Sequence, residues 1–330
     1  MNLKKTCFIS IIILLLMAAG CTGKEDEKTA KGEGESGEQE PAKTSKKAGP
    51  GKSLFEDFEL TPVMKKSQFA DKLSKNTYPD AATPADAGAP LRWDFSKKRK
   101  LAYDYKQKVK SSMDMGMGGP SKQSMNAAAK LSVNAKGNNL ADIVLKFEKV
   151  STEMNVGGNT RSMDMNPPPI AIQDIGNNSV IPDGGQYNML LKLLFPLPGK
   201  ALKVGESAES AAKLPFNVAG SLLWIKGKTV LTLVRYVTVD NHTCAYVRID
   251  SDISKLDIPE GVEGKYETRC IGKGFFYFDT VDKCFESGEL AFFMSIRGEM
   301  PVPRSPRMPD SGGKRKISMD NDNLITFKRK

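Results

Sequence analysis

From Leu101 to Met117 the chain reads "LAYDYKQKVKSSMDMGM", and its apolar and polar side chains take turns. Leu101, Tyr103, Tyr105, Val109, Met113, Met115 and Met117 share one parity, while Asp104, Lys106, Lys108, Lys110 and Asp114 take the other. A period of two puts each set on its own side of a strand, so the stretch predicts a strand with one dry and one wet face, interrupted at Gln107 and Ser111. After the turn-forming "GGPSK", the segment "QSMNAAAKLSVNA" repeats the alternation through Met125, Ala127, Ala129, Leu131 and Val133. Lys136-Gly137-Asn138-Asn139 supplies the next turn. In "LADIVLKFEKVSTEMNV", Ile143, Leu145 and Phe147 keep one phase and Val150, Met154 and Val156 the other. A bulge near Glu148 and Lys149 accounts for the slip.

The second half follows the same rule. "PPPIAIQD" and "NNSVIPDGGQ" read as irregular, and "YNMLLKLLFPLPGK" reads as a short apolar helix stopped by Pro196 and Pro198. Strands are expected at "SLLWIKG", "TVLTLVRYVTV", "TCAYVRIDSDI", "GKYETRCIGKGFFYFD" and "ELAFFMSIRG", with a last one at "NLITFKR". The fold class that follows is mainly β: a long antiparallel meander forming an open half-barrel or sandwich around one short apolar helix, after a disordered tether.

The amino terminus carries a different signal. "MNLKKTCFISIIILLLMAAG" has a positive start at Lys4 and Lys5 and an apolar run from Cys7 to Ala19, which reads as a signal peptide over residues 1–20. That run is too short for the roughly twenty residues a spanning helix needs. Residues 21–52 contain no aromatic and no branched aliphatic side chain, so they read as a disordered tether. As a flexible coil it would hold the domain about 30 Å from its start. Residues 53–90 read as an irregular extension with a short helix opened by Thr61 and Pro62, and 91–330 as the β-rich domain.

Two resemblances add to this. "MAAGC", ending at Cys21, resembles the lipobox of bacterial lipoproteins, with Ala18 where that box usually has leucine. The resemblance implies an acylated Cys21, attachment to a membrane of the cell envelope, and, with Thr22 following instead of Asp, the outer membrane facing the periplasm in a Gram-negative host. The stretch from "FPLPGKALKVGES" through "GKTVLTLVRY", "CAYVRID" and "GKGFFYFD" is similar to an uncharacterised family of envelope lipoproteins. That similarity implies a fold and assigns no chemistry.

The composition offers little for catalysis. The sole histidine, His242, falls between two expected strands and reads as a solvent-facing turn residue. Beside it there is no Gly-x-Ser-x-Gly elbow, and His and Cys do not cluster as zinc ligands do, so the chain is read as non-enzymatic, with no cofactor besides the lipid. Cys244, Cys270 and Cys284 read as buried thiols, since a simple hairpin places Cys244 nearer Gly274 than Cys270. Asp250, Asp252 and Asp279 lack the spacing of a calcium loop and read as hairpin-turn residues. The net charge of +10 falls to +8 without Lys4 and Lys5. In an exported chain it points to an anionic envelope component instead of nucleic acid. The reading is thus a membrane-anchored binding or scaffold module for an apolar ligand. The alternative is Cu(I) binding by the two Ser-Met-Asp-Met stretches, through Met113, Met115, Met117, Met163 and Met165, because soft thioethers suit that ion.

Acylation of Cys21 is directly testable. A palmitate analogue fed to cells should label the wild type and spare Cys21→Ser; equal labelling of both would end the lipoprotein reading.

Overall fold

A computed structural model of the chain describes residues 66–114, 119–179, 181, 191–218, 221–257, 265–301 and 314–330. Eleven strands follow in chain order: β1 (Lys98–Asp114), β2 (Ser121–Lys136), β3 (Leu140–Val156), β4 (Asn159–Met165), β5 (Ile170–Gly176), β6 (Ser207–Val218), β7 (Ser221–Val239), β8 (His242–Asp257), β9 (Lys265–Asp279), β10 (Cys284–Pro301) and β11 (Lys314–Arg329). They form one open antiparallel sheet in the order β4-β3-β2-β1-β11-β10-β9-β8-β7-β6, with β5 pairing the remaining length of β3. Apart from β5, paired strands follow one another in sequence except at one seam, where β11 lies beside β1.

The alternation places strands where it was expected, including the slip in β3. Ala128 pairs with Lys149 and Ala129 with Phe147, so Glu148 is the extra residue of a bulge. Three strands escape it. "PPPIAIQD", read as irregular, contains β5, whose Ile172 and Ile175 are buried against the end of β3. β4 is exposed almost throughout, as befits an edge whose side chains have no core to enter. β6 carries Pro215, which gives no N–H to a ladder and is tolerated on a strand with a single neighbour. The segments expected as "SLLWIKG" and "TVLTLVRYVTV" are one strand, β7, whose register shifts between Lys226 and Lys228 opposite β8.

One side of the sheet is an interior. Tyr103, Tyr105, Leu131, Leu145, Phe276 and Phe327 belong to a single buried cluster. Residues 191–194 of the expected helix are helical, the part before them lying outside the described residues, and Phe195 next to them meets Phe285 at 5.0 Å and Phe327 at 4.8 Å between ring centres. Trp93 closes the same group, 4.9 Å from the Phe285 ring. Burying each such side chain stabilises by about 1.5–3 kcal/mol, so this end of the sheet curls around its helix because the aromatic rings have nowhere drier to go.

The opposite side of β7 to β11 is covered as well. Residues 66–81 cross it as a strap with a 3-10 turn at Ala70–Lys72. Phe69 and Leu73 pack on Tyr246, Phe275 and Tyr277, and the Tyr78 ring meets Tyr277 edge-on at 5.0 Å. Polar ties fix the strap's path: Ser67 Oγ donates to Asp322 at 2.7 Å, and the Ser74 N–H donates to Glu289 at 2.7 Å. Burial raises the pKa of the Asp322 carboxyl, against the hydrogen bonds that hold it down.

Where strand backbones approach most closely, only glycine fits. A Cβ placed on Gly274 would lie 2.2 Å from the Glu289 carbonyl oxygen and 2.9 Å from the Leu290 Cα, both backbone atoms that cannot swing away. Gly274→Ala should therefore destabilise by about 1–3 kcal/mol, the usual range for overpacking, in a urea melt; an unchanged midpoint would show that the β9–β10 pairing is looser than described.

Candidate functional site

The densest charged group lies where the β7–β8 and β9–β10 turns meet the last residues of β11. Asp279, fully buried, ends β9 and turns its carboxylate back over the following turn, where Oδ1 accepts from the N–H groups of Val281 and Asp282, each at 2.9 Å. Its Oδ2 lies 2.8 Å from His242 Nδ1 and 3.4 Å from Arg329. The guanidinium of Arg329 also donates to Asp282 at 2.7 Å and to the Cys284 Sγ at 2.7 Å, and its Nε lies 3.3 Å from Glu286 without hydrogen-bond alignment. His242, read from sequence as a solvent-facing turn residue, is thus the first residue of β8 and is held by a buried carboxylate.

His242, Asp279 and Asp282 bring three ligand-type atoms within 4.8 Å of one another. A metal ion would have to displace Arg329, which already supplies the positive charge these carboxylates require. The cluster therefore acts as an internal ion-pair lock on the carboxyl-terminal strand. Losing one member would leave a buried charge unmet, which is costlier than never having built the pair.

Cys244, Cys270 and Cys284 are free and buried. Burial pushes the Cys270 thiol up to about 12 and the Cys284 thiol up to about 11, the latter despite its contact with Arg329. Cys244 is pushed up by the same cause. As the hairpin arithmetic expects, Cys244 lies nearer Gly274 than Cys270; the residue it faces is Asp279, because the β8–β9 pairing is centred nearer β9. Asp250 and Asp252 are not turn residues either. They lie within β8, where Asp250 pairs with Arg248 at 2.8 Å and Lys273 at 3.0 Å, and Asp252 accepts from Ser254 at 2.5 Å.

The methionines fall in different surroundings. Met113 is half-buried on β1, facing Met319 of β11, and packs on the interior cluster. Met165 packs on the same cluster from β4, whereas Met163 is exposed. From Met163 the ladder runs through Thr152 and Met125 to Val109, so three strand spacings, about 14 Å at 4.7–4.9 Å each, separate β4 from β1. Met115, Met117 and Cys21 lie outside the described residues.

Away from the helix the interior changes character. Phe292 and Met294 of β10, Leu256 of β8 and Leu214 of β6 point to the interior, touch the core, and remain only half-buried. The same face also carries polar side chains, of which Gln107 is an interruption of the alternation in β1. Thr229 and Ser251 share a hydrogen bond of 2.9 Å, Gln107 reaches Asn323 at 3.4 Å, Asn323 contacts Asn321, and the buried Thr152 hydroxyl has no hydrogen-bond partner. One end of the interior is thus packed solid with rings, and the other is an apolar wall with hydroxyl and amide groups set into it.

Neither Arg329 nor this wall was legible beforehand. Arg329 stands in the final "KRK", and its role needs β11 to end beside the β9–β10 turn. Comparison with known proteins adds no assignment. No family model and no curated protein sequence matches the chain. Among solved structures it is similar to one described as "Lipid-protein interactions in lipovitellin", at 9% identity over 72% of this chain with a TM-score of 0.34. The chain spans a quarter, 25%, of that protein's length. It is also similar to OccK5 (OpdH) of Pseudomonas aeruginosa, at 7% identity over 70% of this chain and 98% of the other, TM-score 0.20. A DUF1329 family protein from Desulfovibrio piger overlaps at 10% identity over 74% and 92% of the two chains, TM-score 0.11. Overlaps this loose carry no functional argument.

The lock makes a pH prediction. Burial, outweighing Arg329, raises the pKa of the Glu286 carboxyl above its ordinary 4.5. A raised folded-state pKa means that stability present at low pH is lost as pH climbs through the folded value. Glu286→Gln mimics the protonated form, so its stability relative to wild type should improve as pH rises from 4.5 through the folded-state value and level off above it. Parallel pH–stability curves for the two proteins would show that Glu286 is not disfavoured as a carboxylate.

Proposed function

We propose that this chain is a lipid-anchored envelope lipoprotein that acts by binding, and that its sheet domain takes an apolar ligand against the open half of the interior face. The observation that carries the ligand reading is the half-buried apolar wall of Phe292, Met294, Leu256 and Leu214 on a side of the sheet that is otherwise buried. Ligand pockets are mostly apolar with a few placed polar groups, and Thr229, Ser251 and the Asn321–Asn323 pair would supply these. The aromatic half is already filled by Trp93, Phe195 and Phe285, which confines the ligand to the other half. Support for the anchor comes from the leader and Cys21 alone.

The test is a titration of the mature protein, stripped of bound lipid, with a fluorescent polyene fatty acid. Saturable binding is expected, and Met294→Trp, which fills the wall, should weaken it at least tenfold while the melting temperature stays within a few degrees. Absence of binding by the wild type, or equal binding by the variant, would overturn the proposal.

A further inference from the structure

A second concavity lies on the other side of the sheet, beyond the edge of the strap. It is a cleft of about 440 Å³ floored by β1, β2, β3 and β11, with Lys66 and Gln68 of the strap along one wall. Its side chains are almost all polar, in contrast to the interior.

Three ammonium groups, those of Lys66, Lys110 and Lys122, face three carboxylates, those of Glu153, Asp320 and Asp322. Two of the carboxylates are already engaged. Asp320 is held by Arg297 at 2.8 Å and by the Ser295 hydroxyl at 2.8 Å, and Asp322 accepts from Ser67 Oγ at 2.7 Å and from the Gln68 N–H at 2.5 Å. Lys110 donates to Gln68 Oε1 at 2.5 Å, a neutral partner, lies over the Phe69 ring at 5.9 Å and attracts the nearby Asp322 carboxylate. The hydroxyls of Ser112 and Ser124 line the same floor. Counting Arg297, four cations oppose three anions, and the ammonium groups not held by a carboxylate outnumber Glu153.

From this arrangement we infer that the cleft binds a phosphate-bearing anion, with Lys66, Lys110 and Lys122 meeting its charge and Ser112 and Ser124 donating to its oxygens. Lysine serves as a mobile point charge for such groups, and hydroxyls add short directional bonds. The same chemistry is offered by a soluble phosphate ester and by the headgroup of an anionic lipid. The site does not depend on a ligand in the interior, and either can fail alone.

The experiment uses the full mature chain in neutral detergent. Calorimetric titration with inorganic pyrophosphate should show binding that weakens with added salt. Lys110→Gln/Lys122→Gln should lose at least tenfold in affinity, Lys122→Gln alone should lose severalfold without touching the strap, and Lys108→Gln, outside the cleft, should bind as wild type. A second arm floats the unacylated Cys21→Ser chain with phosphatidylcholine vesicles, with and without phosphatidylglycerol. Flotation that requires phosphatidylglycerol, Lys110 and Lys122 and is reversed by pyrophosphate identifies a headgroup site; pyrophosphate binding without flotation identifies a soluble phosphate ester. No pyrophosphate binding, or equal binding by the double variant and the wild type, overturns the inference.

Discussion

Everything in this fold depends on β11 pairing with β1 on one side and β10 on the other. The remaining pairings join strands that are close in sequence, and a chain can form them locally at small entropic cost. The β1–β11 ladder joins Tyr103 to Arg329 and eleven further pairs, across more than two hundred residues. Without it the chain would be two separate meanders, each with its apolar face open to water. With it, Tyr103, Tyr105 and Phe327 become neighbours in one core, and the helix at 191–194 has a wall on both sides.

The charged lock around Arg329 is best understood as a consequence of that seam. The last strand ends beside the β9–β10 turn, and its guanidinium reaches Asp279, Asp282 and the Cys284 sulfur together. Buried ion pairs seldom add much net stability, but they are intolerant of misplacement. A strand slipped by one residue would carry Arg329 away from Asp279 and turn Ile325 out of the core. The lock thus contributes register more than energy, at the point where the longest loop in the topology must close.

Two surfaces then remain for function, and they differ because the two sides of the sheet are covered differently. The interior is filled at its aromatic end and lined by half-buried aliphatic and methionine side chains at the other. The outer side is sealed by the strap over β7 to β11 and left polar over β1 to β3. An apolar ligand suits the first surface and a charged one the second. The methionines that stand out in the sequence belong mainly to the first: Met113 and Met165 pack on the core, and Met163 sits on the exposed edge.

Alternation by itself determined the strands of the first hairpins, the bulge at Glu148 and the mainly β class, because a period of two is a local property that any one-sided burial imposes on a strand. The composition of residues 21–52, which hold no aromatic or branched aliphatic side chain, predicts a tether for the converse reason, and those residues lie outside the described ones. Alternation could not reveal β4, which is exposed almost throughout, or β5, whose two buried isoleucines stand three residues apart instead of two, and it left β6 unmarked. Nor could it show that His242 and Arg329 share Asp279, or that Lys66 would stand opposite Lys122, because those distances exist only once β11 has closed the sheet and the strap has crossed it. Side-chain periodicity records which face of a strand is dry; which strands lie side by side, and what they enclose, is decided by long-range pairing that no local pattern encodes.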